Sequence, residues 1–437
     1  MDAPVNPPDV DHDEDWILLT DPDVSGRELE RVIRALRSSR LSAGPLVEDF
    51  EAEFAAHHGR AYGVATASGT IGMWLALRAL GIGPGDEVVA CSYGWHQTAH
   101  AILLAGATPN FAEIDYWSGC ISPSAAADRI GPKTKAIIGN NCNGHPAAWK
   151  ALRQLAESRG VALLEDSTEA IGSRYLGKPV GSFGDLSVFD FSQPGALCCG
   201  EGGMVLTDDP HLATELRYLR AHRLSDRTSV SIGSRVPLQG GMSDLTAALG
   251  LAQLERIDEI LARRKQVEAF YRDEMQSFEG IKPPYLGPDV DEVHWMLYVV
   301  HLGARFSASS RAQIVDDLEA DLIEAAPFSA LMHQQFAYQA LGEAYNCKRG
   351  CLKNTERIGD RSLALHFWDS IINSRDGGKL EPALAASWRS VDETTWEFKL
   401  RNDIKWQDGR PFTADDIVFS LQRARSVPGS VEIGRAH

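Results

Sequence analysis

Long hydrophobic runs are missing from this chain of 437 residues. A membrane-spanning helix needs about 20 consecutive apolar residues, and no stretch comes close to that length, so we expect no membrane association. The first residues, MDAPVNPPDVDHDED, are acidic and proline-rich and lack the basic and apolar regions of a secretory signal. The sequence therefore predicts a cytoplasmic protein.

Positive charge and paired cysteines are also scarce. Lys and Arg number 43 against 60 Asp and Glu, a net charge of −17 that repels nucleic-acid phosphates and anionic lipids. No local basic patch offsets it. The seven cysteines are odd in number and contain no CxxC pair, a pattern typical of a reducing compartment rather than of disulfides or zinc. We therefore expect no nucleic-acid partner, no membrane partner and no metal site.

Short apolar segments alternate with helical ones along most of the chain. The spacing predicts helices at 27–36, 47–56, 70–80, 98–105 and 147–159, and strands at 62–66, 87–90, 108–111, 136–139, 162–165, 186–191 and 204–207. Two long helices are expected near 244–260 and 262–276, then a strand at 295–302 and a helix at 311–320. This order predicts an α/β fold whose mostly parallel sheet carries helices on both faces.

The same pattern predicts four parts. They are a polar leader (1–26), a large domain (27–260), a small α+β domain (261–367) and an appendage (368–437).

Several loops after predicted strands carry candidate binding residues. Ser68-Gly69-Thr70 offers free N–H groups to an anion at a helix start, or serves only as an N-cap. Asp166 ends a strand where α/β proteins bind ligands, or caps the next helix. Trp95 is either a stacking surface for a planar ring or a core aromatic. Gly200-Glu201-Gly202-Gly203 reads as a tight turn whose glycines allow positive φ or close backbone approach.

These features occur within an ordered series of sequence blocks. The blocks are GPLVEDFEAEFA, ATASGT, ALGIGPGDEVV, ILLAGATPNFAEID, KTKAII, LLEDSTEAIGS, GKPVGSFGDLSVFDF, GEGGMVLTDD and MSDLTAALGLAQLERID. Over residues 27–365 the chain closely resembles the DegT/DnrJ/StrS sugar aminotransferase family. The resemblance implies the pyridoxal phosphate (PLP) transferase fold of type I. It also implies a homodimer with active sites at the subunit interface, acting on the keto group of a nucleotide-linked sugar or a cyclitol.

The resemblance also assigns residues by position. Gly69 and Thr70 match the pair that cradles the PLP phosphate, and Trp95 matches the aromatic that stacks on the pyridine ring. Asp166 matches the carboxylate that pairs with the pyridinium nitrogen, where an ionised acid keeps the ring protonated as an electron sink.

Other family positions are altered. With Gly200-Glu201-Gly202-Gly203 as anchor, the Schiff-base lysine is Gly195, and the sequence contains no lysine between Lys178 and Lys265. Without that amine the family's covalent link to PLP is missing, as is the base for its proton shift. Ordinary transamination should therefore be lost or very slow.

Three more departures surround the same ligand. The phosphate-binding Ser is Asp190, whose charge would repel a phosphate, and the usual Gln near the ring is Glu169. The block that reaches the partner's site, usually Asn-Tyr-Arg-Met, is Gln239-Gly240-Gly241-Met242. We therefore expect PLP, or its amine form pyridoxamine phosphate (PMP), to bind noncovalently if it binds at all.

Two functions remain open at this point. The protein is either an enzyme acting on a keto-sugar or a related natural-product intermediate, or a catalytically silent homologue that binds a sugar nucleotide or partners an active aminotransferase. His96, His100 and His145 border the predicted crevice and could supply a base, although most histidines are solvated or structural. Cys198 and Cys199 are expected to be buried and inert.

The last residues have a different character. From about Asp369 to Gly429 they resemble a fragment of a peptide-type solute-binding protein of an ABC importer. About 60 residues are too few for such a protein's two lobes. A gene remnant or an assembly artefact is therefore a better explanation than solute binding, and at most a small β-containing appendage is expected.

Overall fold

The computed structural model describes residues 17–19, 22–42, 44–192, 195–220, 238–275 and 280–367, and the backbone of 385–390 and 396–400. Nine strands lie in the first half of the chain: β1 (Tyr62–Thr66), β2 (Glu87–Cys91), β3 (Thr108–Ala112), β4 (Thr134–Asn140), β5 (Ala162–Asp166), β6 (Arg174–Tyr175), β7 (Lys178–Pro179), β8 (Leu186–Asp190) and β9 (Gly203–Thr207). Seven of them form the central sheet in the order β1-β9-β8-β5-β4-β2-β3. β9 runs antiparallel to both its neighbours, and the pairs from β8 to β3 are parallel.

Helices cover both faces of this sheet. They are α1 (Gly26–Leu36), α2 (Pro45–His57), α3 (Gly69–Ala79), α4 (Gln97–Leu104), α5 (Pro123–Arg129), α6 (Trp149–Arg159), α7 (Pro210–Arg220), α8 (Asp244–Glu255) and α9 (Ile257–Glu274). Successive strand residues point to opposite faces, and Leu163 and Leu164 are both fully buried, in different clusters. Apolar side chains are therefore needed on both faces, which explains the unbroken apolar runs of the sequence.

A smaller antiparallel sheet follows α9. Its elements are β10 (Ile281–Lys282), β11 (Val290–Glu292), β12 (Tyr298–Leu302), α10 (Ala308–Ala320), β13 (Ala326–Pro327), α11 (Phe336–Gln339), α12 (Lys353–Gly359) and β14 (Ser362–Leu365). Four strands pair in the order β10-β12-β14-β13, while β11 joins β6. Among the described residues, no helix has the length and apolar character needed to cross a membrane.

Several predicted elements have different bounds in the structure, and contacts explain two of these differences. The helix expected at 244–260 ends at Glu255, because Arg256 turns its side chain inward to ion pairs with Asp23 and Glu28. α9 therefore runs across residue 260, where the large domain was predicted to end. The strand expected from Trp295 begins at Tyr298, since the carbonyl groups of Trp295 and Met296 accept hydrogen bonds from the Arg264 guanidinium instead of a neighbouring strand.

The apolar stripe of α1 lies at the surface. The helix itself is confirmed, with Ser25 as N-cap and Glu28 closing a capping box. However, Leu29 is 60% exposed and Leu36 is 55% exposed. Near the chain's end, β15 (Ala385–Ser390) and β16 (Trp396–Leu400) form an antiparallel pair; the rest of the predicted appendage, 368–437, lies outside the described residues.

Candidate functional site

Four loops meet at the carboxyl edge of the central sheet. They follow β1, β2, β5 and β8, and Gly69, Trp95, Asp166 and Asp190 lie in these loops or at their ends. Ligands of open parallel sheets bind at this edge. The structure thus brings together the predicted residues that the sequence scatters over more than 120 positions.

Asp166 and Trp95 line one small cavity, with Thr98 and Asn140. The Thr98 hydroxyl donates to Asp166 Oδ2 over 2.5 Å. Desolvation raises the pKa of the Asp166 carboxyl, and the hydrogen bond from Thr98 opposes that shift. Trp95 Nε1 is buried and has no hydrogen-bond partner in the part of the chain that the structure describes. We call this cavity the ring pocket.

Glu169 lines a second small cavity, with Asp190, Gly195 and His294. Its carboxylate accepts a hydrogen bond from the backbone N–H of Asn143. Burial raises the pKa of Glu169 to about 7, and the nearby charge of Asp166 adds to the shift. Glu169 is therefore a buried acid that exchanges its proton near neutral pH.

Asp190 occupies the anion-binding end of the site. Its Oδ2 accepts a hydrogen bond from Gly69 N over 2.6 Å, and its Oδ1 accepts from Ser192 N over 2.8 Å and from the Ser192 hydroxyl. The carboxylate is buried, with the residue 3% exposed. The N–H group of Gly69, matched above to the phosphate cradle, is thus already bonded to the chain's own acid. Thr70 follows it in the first turn of α3.

The glycine turn after residue 199 holds this end together. Gly200 and Gly202 have φ of +77° and +130°, in the region that favours glycine. A Cβ on Gly203 would lie 2.7 Å from Gly69 N. The prediction that these glycines supply positive φ and close backbone approach is confirmed.

Gly195 borders the second cavity, between Glu169 and His294. The residues that line the two cavities include no lysine or arginine among those the structure describes. Among the described residues, the lining of these two pockets therefore combines acids, aromatics and His294.

Gln239 lies beside the start of α3. The carbonyl group of its neighbour Gly240 accepts from Ala67 N over 2.8 Å, while the Gln239 side chain is exposed. No contact of that side chain with Asp190 or Asp166 is present within the described ranges.

The three candidate histidines lie outside the two cavities. Both ring nitrogens of His145 are already engaged, Nδ1 with the carbonyl oxygen of Pro146 (2.8 Å) and Nε2 with Gly287 N (3.1 Å). The ring centroids of His96 and His100 lie 4.9 Å apart, and the His100 ring stacks on that of Tyr338. Burial raises the pKa of the Cys198 and Cys199 thiols, which opposes formation of a reactive thiolate, as predicted.

Three contacting residues escaped the sequence analysis. Thr98 bonds Asp166, Asn143 bonds Glu169, and Ser192 bonds Asp190. His294 also lines the second cavity, and its buried Nδ1 has no partner within the described ranges. A polar residue in the first turn of a helix after a strand was the available signal for Thr98. Asn143 and His294 gave none, because their positions depend on tertiary folding.

The residues present fit a pyridoxal-type cofactor at one end only. Beside the ring pocket, a carboxylate, an aromatic ring and an unpartnered indole N–H suit a protonated pyridine ring. At the other end a carboxylate already fills the N–H cradle that a phosphate requires, and a second anion there would be repelled. The site accordingly fits the ring and does not fit the phosphate.

Comparison with known proteins covers most of the chain. Residues 22–375 match the model of the DegT/DnrJ/EryC1/StrS aminotransferase family. Residues 379–433 match the model of bacterial extracellular solute-binding proteins, family 5, which confirms the short C-terminal resemblance. Over 308 residues the chain is 36% identical to the spore coat polysaccharide biosynthesis protein SpsC of Bacillus subtilis (strain 168), covering 68% of this chain and 79% of SpsC.

Solved structures give the same result. DesV of S. venezuelae, in complex with a ketimine intermediate, is 32% identical with a TM-score of 0.70, covering 78% of this chain and 88% of DesV. DesI, in the presence of its TDP-sugar product, is 30% identical with a TM-score of 0.72, covering 80% and 88%. The α/β fold predicted from the sequence is thereby confirmed as the type I fold of PLP-dependent aminotransferases. The chain belongs to the DegT/DnrJ/EryC1/StrS aminotransferase family.

Proposed function

We propose that this protein binds the keto group of a nucleotide-linked sugar, or of a related natural-product intermediate, and does not carry out ordinary transamination. The proposal is supported by the sequence alignment that puts Gly195 at the position of the family's Schiff-base lysine, and by two cavities lined by no lysine or arginine among the described residues. Family members and their relatives use PLP or PMP, and any such molecule would be held here without a covalent bond.

A bound pyridine cofactor supplies an electron sink for the substrate's carbon. Asp166 would hold the proton on the ring nitrogen, since an ionised carboxylate favours a protonated neighbour. Trp95 would pack on the ring and exclude water from it. Glu169, with its pKa of about 7, is the one acid of the second cavity placed to exchange a proton at neutral pH.

A third cavity supports a sugar-nucleotide substrate. It shares Trp295 with the cavity of Glu169, and Trp117, Tyr285 and His145 line it. The rings of Tyr285 and His145 stack at 6.0 Å. Aromatic faces of this kind suit the planar base or the apolar face of a sugar ring. SpsC and DesI act in, or bind products of, carbohydrate chemistry, which agrees with this substrate class.

A catalytically silent homologue is the second candidate. It is favoured by Asp190, because a carboxylate that fills the phosphate cradle removes the family's anchor for its cofactor. The exposed apolar stripe of α1, Leu29, Ile33 and Leu36, supports a homodimer or a pairing with an active aminotransferase. The free thiols agree with a reducing compartment such as the cytoplasm.

Borohydride trapping tests the missing amine directly. We expect wild-type protein incubated with excess PLP and then reduced to show no added mass by intact mass spectrometry. Gly195→Lys combined with Asp190→Ser should gain one reduced PLP per chain, and Gly195→Lys alone should gain much less. A stoichiometric adduct on the wild-type protein, mapped to any lysine, would contradict the proposal.

Turnover separates the two candidates. A nucleotide-linked keto-sugar and glutamate are supplied with PLP, PMP or no cofactor, and products are followed by mass spectrometry. Cofactor-dependent modification of the keto-sugar supports the enzyme. Sugar-nucleotide binding by calorimetry without turnover under every condition supports the silent homologue.

A further inference from the structure

The candidate site concentrates negative charge. Glu169 and Asp190 are buried in one cavity, and the partly buried Asp166 lies close enough to both to perturb, or be perturbed by, their charges. No lysine or arginine lines either cavity in the described part of the chain. Three carboxylates with no lysine or arginine among the described residues of the lining favour a positively charged ligand.

Asp190 is held in place by the groups that would otherwise bind a phosphate. Gly69 N–H donates to one oxygen, while the backbone and hydroxyl of Ser192 donate to the other. Charge-assisted bonds of this kind are strong. A phosphate group would therefore have to displace a buried, satisfied carboxylate or lie against it, and both are unfavourable.

The two cavities, by contrast, keep unsatisfied polar groups. In the ring pocket Trp95 Nε1 is buried without a partner, and in the second cavity His294, which is 8% exposed, has an unpartnered Nδ1, as far as the structure describes the chain. Buried polar atoms without partners are rare in folded proteins and call for a ligand or water. A molecule with hydrogen-bonding groups around an aromatic ring matches this lining.

We propose that this site selects pyridoxamine, the phosphate-free amine form of the vitamin, over PLP and PMP. Its ammonium group and ring nitrogen are cationic partners for Glu169 and Asp166, and its short hydroxymethyl arm leaves Asp190 in the cradle. The inference rests on the proposed function only in locating the cofactor site. The inference goes beyond the proposed function because it names a ligand that lacks the phosphate.

Direct binding tests the selection without any sugar. Pyridoxamine, PMP, PLP and the uncharged-arm analogue pyridoxine are titrated into wild-type protein by calorimetry and by tryptophan fluorescence. Pyridoxamine should bind at least about tenfold more tightly than PMP and than pyridoxine. Equal or tighter binding of PMP, or no binding of pyridoxamine, would overturn the proposal.

Asp190 variants test the cause. Asp190→Ser opens the cradle and should reverse the order, so that PMP binds at least about tenfold more tightly than pyridoxamine. Asp190→Asn keeps the shape and removes the charge, and serves if Asp190→Ser does not fold; it should narrow the preference without reversing it. Asp289→Ser, at an exposed loop, removes the same charge elsewhere and should leave the order unchanged. An unreversed order in folded Asp190→Ser, or an undiminished preference for pyridoxamine in Asp190→Asn, would overturn the proposal.

The outcome is separable from that of the proposed function. If wild-type protein prefers PMP and forms no borohydride adduct, phosphate exclusion is rejected. The proposed lack of a Schiff-base lysine is then unaffected. An adduct on wild-type protein rejects the missing amine whatever the vitamer order.

Discussion

The two ends of the candidate site differ in how their polar groups are hydrogen-bonded. At the ring end, Asp166 keeps one side-chain donor, Thr98, and Trp95 keeps an unpartnered N–H within the described structure. At the phosphate end, Asp190 takes up the free N–H of the α3 terminus and closes it. In our proposal the ring end therefore retains the capacity to bind a ligand, whereas the buried Asp190 carboxylate closes the phosphate end.

Gly69→Ala should damage the phosphate end most. A Cβ there would lie 2.5 Å from Asp190 Cβ and 3.0 Å from Asp190 Cα, and neither atom can move without displacing β8. We expect a loss of about 4 kcal/mol in the free energy of unfolding, about 3 from overpacking and about 1 from the hydrogen bond. Chemical unfolding followed by fluorescence measures it.

Gly131→Ala is the matched control. A Cβ added at this position would have no atom within 4 Å, and the φ of Gly131 is not positive, so the change should be nearly neutral. Equal stability of the two variants would show that Asp190 is not fixed in the cradle.

Glu169→Gln should remove a pH dependence from the free energy of unfolding. Burial raises the pKa of Glu169 from 4.5 to about 7, so the folded protein holds a proton that the unfolded chain releases. The resulting stability is fully present below about pH 4.5 and is lost as pH rises through 7. At 1.36 kcal/mol per pKa unit, wild type should lose up to about 3 kcal/mol more than the variant between pH 4.5 and 8.

Unfolding curves at four pH values across that range provide the measurement. The raised pKa of Asp166 acts in the same direction in both proteins, so only the difference reports on Glu169. Glu201→Gln, which removes the same charge at an exposed turn, is the control. Parallel pH profiles for wild type and Glu169→Gln would contradict a proton held at Glu169.

Strand positions and strand ends were predictable from the sequence, because a sheet covered on both faces requires apolar runs and its loops require polar residues. Asp166 was identified by this rule, and it does end β5. The bond between Gly69 and Asp190 was not predictable, since it joins residues 121 positions apart and depends on the register of three strands. The family resemblance predicted that Asp190 would repel a phosphate. The structure adds that the Asp190 carboxylate accepts the hydrogen bond of Gly69 N–H, a group that the resemblance assigns to the phosphate.

Long-range polar contacts account for the wrong element bounds as well. Arg256 has an ordinary place in a helical pattern, and only its buried ion pairs with Asp23 and Glu28 explain the break. The stripe of α1 shows the opposite limit. Its period predicted a helix correctly, but period alone does not tell whether an apolar face packs on the core or, like Leu29, faces outward.

Ser192→Ala is the mildest change at the phosphate end. It removes the hydroxyl that donates to Asp190 and leaves the backbone N–H, 2.8 Å from the same oxygen, in place. We expect a loss of about 1 kcal/mol in stability, typical of one hydrogen bond. Because Asp190 is then held less firmly, PMP binding relative to pyridoxamine should rise modestly.

Ser187→Ala separates these two effects. Ser187 lies on β8, the strand that ends at Asp190. Its hydroxyl donates over 3.1 Å to another buried carboxylate, that of Glu165, and Glu165 lines neither cavity. Its loss should therefore lower stability by a similar amount and leave the vitamer preference unchanged. If both serine variants shifted the preference equally, the shift would reflect general loosening of β8, and the distinction between a closed phosphate end and an open ring end would fail. If only Ser192→Ala shifts it, the grip on Asp190 itself sets which ligand the site accepts.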